Sequence, residues 1–165
     1  MLKAFSILCL IYLAVATQGS VVTAEGPMWC RLFLPALALV AIAFWSEGPA
    51  AIAWSACLGL LLDGLSLDRL GVQLGLATLL GCSLQIVREQ RRTNGVATFI
   101  GMVFVVTFVW RAASPFVLGL LDGKTTDVSG VIAMSLVEAV ATTGLAAVIV
   151  CGDRLVMGSS RRVVA

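Results

Sequence analysis

The chain has 165 residues, 60% of them hydrophobic and only 12% charged, with a mean hydropathy of +1.05 and a formal net charge of +2. A water-soluble domain of this size needs charge over most of its surface, and a net charge of +2 is too small to argue for nucleic acid. The sequence has no histidine, which removes histidine-based acid–base catalysis, metal ligation and pH switching together.

Apolar stretches of about 18 residues or more read as membrane-spanning helices. Six of them predict one all-α integral membrane domain over residues 1–165, with no linker and no low-complexity tract. The first span is expected over about 4–22. Lys3 and the apolar run ending in Ala14-Val15-Ala16 imitate a secretory signal with a cleavage site after Ala16. No charge interrupts Ala4 to Ala24, so an uncleaved first helix is the expectation. The second span covers about 28–45, with Arg31 snorkelling toward the headgroups. The third covers about 49–65, with Pro49 in a first turn where its missing N–H costs nothing. The fourth covers about 70–87, the fifth about 94–113 and the sixth about 130–151. Between the last two, Ser114 to Leu121 is apolar but short and led by Pro115. It is expected to be an interfacial or re-entrant piece.

Basic residues set the expected orientation. With the N-terminus inside, the cytoplasmic side holds Lys3, Arg88, Arg91, Arg92, Arg154, Arg161 and Arg162. The outer side holds Arg31, Arg69, Arg111 and Lys124. Both termini are therefore expected in the cytoplasm.

Polar residues within such spans are where function is expected, because an unpaired charge there costs several kcal/mol, roughly 2.5–3.5 on insertion scales. Asp63 ends the third span, Arg111 sits late in the fifth, and Glu138 lies about two turns into the sixth. The three are expected to form an intramembrane polar cluster in the outer half, with Arg111 within hydrogen-bond or one-water reach of Asp63 or Glu138. The alternative for Asp63 and Arg111 is simple snorkelling to the interface. Helical spacing puts Ala51, Ser55, Gly59 and Asp63 on one face, Thr107, Arg111 and Ser114 on another, and Ser135, Glu138 and Thr142 on a third. Gly71 and Gly75, with the series Gln73, Ala77, Gly81 and Gln85, make a small-residue face on the fourth span. Such faces, Ser55, Gly71 and Gly75 included, are expected to be packing seams, and Ala51/Ser55/Gly59 is expected to take a partner's helix. Cys9, Cys30, Cys57, Cys82 and Cys151 are scattered, with no Cys-x-x-Cys pair, and read as small apolar side chains. No metal or cofactor site is expected.

The most specific string is Gly59-Leu60-Leu61-Leu62-Asp63-Gly64-Leu65-Ser66-Leu67-Asp68-Arg69-Leu70-Gly71. A helix ends on an acid, a short polar turn follows, and Asp68 is placed to N-cap the next helix. Gly59, Asp63 and Gly71, in a six-span chain of this length, resemble the rod shape-determining protein MreD family. The chain carries Pro35-Ala36 where family members often have Pro-Asp. The resemblance implies a fold like the six-helix substrate-binding subunits of energy-coupling vitamin transporters. It implies a non-enzymatic component of the bacterial cell-elongation machinery in the plasma membrane. Its partners would be membrane lipid and the single-span protein MreC, and through MreC the MreB filament and the peptidoglycan synthases.

Read without the resemblance, three function classes remain, and the first is a scaffold. The second is a membrane subunit that binds a small solute for transport, which would use Asp63, Gln73, Arg111 and Glu138. A membrane enzyme ranks last, because the carboxylates have no catalytic partner other than each other.

Overall fold

The computed structural model describes residues 7–9, 11–16, 32–46, 48–65, 71–91, 96–123 and 127–162, with side chains placed for all of these except 90, 91 and 152–162. Every regular element among the described residues is a helix. In chain order these are α1 (Ile7–Ala16), α2 (Leu34–Trp45), α3 (Pro49–Leu65), α4 (Val72–Arg91), α5 (Val96–Asp122) and α6 (Val128–Arg162). Helix α5 and the Val128–Cys151 part of α6 are long and apolar enough to cross a membrane.

Helix α2 is the hub, apolar on every side, with eight of its twelve residues buried. A helix that is hydrophobic all round is an interior helix. It touches α3, α4, α5 and α6, while α3 pairs chiefly with α4 and α5 chiefly with α6. Leu39, Val40 and Ile42 of α2 meet Leu58, Ala77, Val103, Val106 and Trp110 in the core, and α1 adds Ile7, Ile11 and Ala14 from one face.

Three elements differ from the sequence expectation. Leu32 and Phe33 are not helical, and α2 begins only at Leu34 with Pro35 in its first turn. Proline has no N–H to donate to a preceding turn, so it suits the first turn of a helix rather than its interior. The Phe33 N–H is bonded instead to Thr142 Oγ1 at 3.0 Å. The segment Ser114 to Leu121 is not a separate interfacial piece. Helix α5 runs through Pro115 for 27 residues, about 40 Å at 1.5 Å per residue. Pro115 removes the N–H that the Arg111 carbonyl would receive, a cost of about 3 kcal/mol. Packing on α6 and burial of Trp110 and Ser114 hold the helix across that gap. Helix α6 begins two residues before Gly130 and continues past Cys151 to Arg162. Asp127 provides its start, accepting from the Ser129 N–H at 3.2 Å and the Ser129 hydroxyl at 2.8 Å.

The α3–α4 seam explains the small residues. A Cβ on Gly59 would stand 2.7 Å from Leu74 Cα, 2.8 Å from Ala77 Cβ and 2.8 Å from the Gln73 carbonyl oxygen. One on Gly81 would stand 2.7 Å from Ser55 Cβ. The Ala51/Ser55/Gly59 face is therefore filled by this chain's own α4 and is not open to a partner helix. Gly75 plays no part in the seam. It is exposed, and a Cβ there would meet nothing within 4 Å, as at Gly71.

Beside the apolar core, several polar side chains are enclosed and several large aliphatic ones face outward. Ser55, Asp63, Thr107, Glu138 and Thr142 are buried, while Leu79, Leu120 and Val148 are 67%, 85% and 69% exposed.

Candidate functional site

A polar network joins α3, α4, α5 and α6, and Phe33 just before α2, at one end of the bundle. Its first part closes the α3–α4 corner. Asp63, in the last turn of α3 and 2% exposed, faces the N-terminus of α4. Its Oδ1 accepts from the Gln73 N–H at 3.0 Å, and its Oδ2 from the N–H groups of Gly71 and Leu74 at 3.0 and 2.9 Å. The first N–H groups of a helix have no partner within it, and their dipoles favour a negative charge. A carboxylate from the preceding helix thus caps α4; Asp68, which sequence reading places at that cap, lies outside the described residues. Gly71 fits because its φ is +100°, a conformation open to glycine and strained for other residues. The three positions of the sequence string have separate tasks. Gly59 permits the close approach, Asp63 caps, and Gly71 makes the turn.

The second part joins α5 to α6. Arg111 donates through Nε to Glu138 Oε2 and through Nη2 to Glu138 Oε1, the latter at 2.7 Å. This two-pronged geometry is the strong form of the guanidinium–carboxylate pair. The Glu138 side chain is 5% exposed and that of Arg111 35%, so the acid is enclosed and the base reaches the surface of the cleft described below. The Arg111 guanidinium also lies over the Phe33 ring, 5.4 Å from its centroid. Phe33 meets Trp110 edge to face at 5.3 Å.

The two parts are linked through Gln73 and Trp110. Trp110, fully buried, donates its Nε1–H to Gln73 Oε1 at 2.7 Å, and the Gln73 N–H is held by Asp63. On the other side, Thr142 Oγ1 donates to the Glu138 carbonyl at 2.8 Å and accepts from Phe33. The structure thus brings Asp63, Arg111 and Glu138 into one network. Arg111 is ion-paired with Glu138, and Asp63 is committed to the backbone of α4.

Sequence reading missed Phe33, Trp110 and Asp127. The signal for Asp127 was present, since an Asp before an apolar run marks a helix start. Nothing local marks Phe33 or Trp110, because their contacts come from elements distant in the chain.

Beside this network, residues of α5 and α6 with Gln73 of α4 line a cleft of about 470 Å³. Gln73, Arg111, Ser114, Asp127 and Ser135 give it polarity, and Pro115, Leu118, Val131 and Met134 give it apolar walls. Asp127 at its rim has its carboxyl held below the ordinary value of 3.8, first by the Ser129 hydroxyl and then by the Gly130 and Ser129 backbone N–H groups. Among the described residues no group of three or more His, Cys, Asp or Glu side chains comes together as a metal site. Cys9, Cys57, Cys82 and Cys151 are free, and Cys30 lies outside the described residues.

At the opposite end, Arg88 Nη1 donates to the carbonyls of Ala43 and Ser46 at 2.9 and 2.7 Å, and Gln85 Nε2 donates to that of Ala43 at 3.2 Å. These carbonyls end α2, where a cation complements the helix dipole. The chain matches no protein-family model, no curated protein and no solved structure.

Proposed function

We propose that this chain is a multi-pass membrane protein with six spans and cytoplasmic termini. In this reading it serves as a non-enzymatic component of bacterial cell elongation, of the MreD kind. The membrane part is supported by the inside-out surface, with carboxylates and hydroxyls enclosed and large aliphatic side chains turned outward. The orientation is supported by the excess of basic residues on the proposed cytoplasmic side.

The functional part rests on one observation. Gly59, Asp63 and Gly71, which carry the family resemblance, form a single structural device that sets the α3–α4 corner. With the α3 small-residue face used internally, a single-span partner such as MreC would dock on the outward aliphatic faces, for example Val137, Val140 and Val148 of α6. Depletion in the source bacterium should give wide or rounded cells with side-wall peptidoglycan synthesis no longer directed. Normal shape after depletion would overturn the reading.

The cleft beside Arg111 supports a second reading, a subunit that binds a small solute for transport. Under it, depletion should leave shape intact and abolish uptake of that solute.

A further inference from the structure

We propose that the cleft between α5 and α6 binds a zwitterion of the ethanolamine phosphate type, an anionic oxygen group joined by a short link to a primary ammonium. The cleft volume of about 470 Å³ lies within the usual range for small-ligand sites. Its polar groups are sorted by kind.

The inner pole carries donors. Arg111 spends Nε and Nη2 on Glu138, which leaves Nη1 as a donor. Gln73 spends its Oε1 on Trp110, which leaves the amide NH₂. The Ser114 hydroxyl makes no hydrogen bond with the described residues, and no fully buried polar side-chain atom among them lacks a partner. Its oxygen therefore faces accessible space. All three residues line the cleft.

The outer pole is the Asp127 carboxylate, fixed in place by Ser129. From Asp127 to Glu138 is about 16 Å of helix axis. The Glu138 side chain leans toward the N-terminus of α6, and the Asp127 carboxylate folds onto the first turn, so both charges lie closer than the axial rise between their residues. A ligand with an anionic group at one end and an ammonium at the other meets a matching partner at each pole.

Simpler ligands fit worse. Glu138 already neutralises Arg111, so a bare anion would find no surplus positive charge among the described lining residues and would be repelled by Asp127. A bare cation would find Asp127 but would make no use of the inner donors. Such a ligand has two sources, a phosphatidylethanolamine headgroup or a soluble ethanolamine phosphate. The lipid source rests on the membrane reading above, and the soluble source does not.

The test uses the purified full chain in an amine-free maltoside detergent. Binding of phosphatidylethanolamine, phosphatidylglycerol and soluble glycerophosphoethanolamine is measured by native mass spectrometry. Phosphatidylethanolamine should bind about tenfold tighter than phosphatidylglycerol. Asp127→Asn should reduce that preference below about twofold with the fold retained and only the first turn of α6 loosened, because asparagine still caps α6. Ser114→Ala should weaken phosphatidylethanolamine about threefold. Equal affinity for the two lipids, or a preference that survives Asp127→Asn, would overturn the proposal. Displacement of lipid by glycerophosphoethanolamine would assign the soluble source, and retained lipid would assign the headgroup. Either supports the site. A chain found outside membranes that still binds the soluble probe would remove the membrane reading and leave the zwitterion site standing.

Discussion

Two enclosed carboxylates do different work. Glu138 is held by a guanidinium, so its loss strands a charge. Breaking an enclosed pair from one side costs about 3–5 kcal/mol, and the partial exposure of Arg111 brings the expected figure for Glu138→Leu to about 3. Glu138→Gln keeps an oxygen for Arg111 and should lose about half as much. The double change Arg111→Leu with Glu138→Leu should be milder than Glu138→Leu alone, because no charge is left without a partner. Urea or heat unfolding of these three variants and of Arg111→Leu in one detergent checks this order, and an additive double mutant would contradict it. Asp63 accepts from three backbone N–H groups at the start of α4. Asp63→Ala leaves all three without their acceptor and should cost about 2 kcal/mol or more. Asp63→Asn retains one acceptor oxygen and should recover part of that loss in the same unfolding assay.

At the scale of the element, the α3–α4 hairpin depends on the absence of a side chain. A Cβ at Gly59 meets α4 backbone, which cannot rotate away, so Gly59→Val should destabilise by about 1–3 kcal/mol. Gly75→Val, a like change on the exposed side of α4, should stay within about 0.5 kcal/mol. Comparable loss in the two variants would show that helix propensity, not the seam, sets the sensitivity. The start of α6 responds to pH through Asp127. Its folded pKa lies below 3.8, so its contribution is fully present above that value and is lost as pH falls through the depressed one. NMR should show the Ser129 amide shifting and the first turn of α6 fraying in that acid range, and Asp127→Asn should abolish the transition. Only one of the two helix starts, that of α6, can be read from adjacent residues. Asp127 precedes its own helix, whereas the cap of α4 comes from eight residues before Gly71 and across a turn.

For the whole molecule, the test is topology. Reporter fusions after Arg92 and after Arg162 should both report cytoplasm, and fusions near Lys124 the outer side. A periplasmic signal after Arg92 would reverse the proposed orientation. The structure also alters how basic residues are weighed. Arg88 belongs to the cytoplasmic cluster by sequence, yet its guanidinium reaches the end of α2. Arg88→Gln should therefore lower stability as well as weaken the topology signal, by about 1–2 kcal/mol in the unfolding assay.

The sequence by itself determined that the chain is helical, because its apolar runs are long and its breaks short. It also marked the faces on which polar residues would be enclosed. Ser135, Glu138 and Thr142 on one face, and Ala51, Ser55, Gly59 and Asp63 on another, follow from the helical repeat alone. The repeat names a face but not the neighbour that meets it. That Arg111 takes Glu138 while Asp63 takes the α4 backbone was decided by how α3, α4, α5 and α6 come together. Tertiary packing likewise filled the α3 small-residue face from within the chain and carried α5 through Pro115. A proline stops a helix by local cost, and here contacts made by residues remote in sequence outweigh that cost.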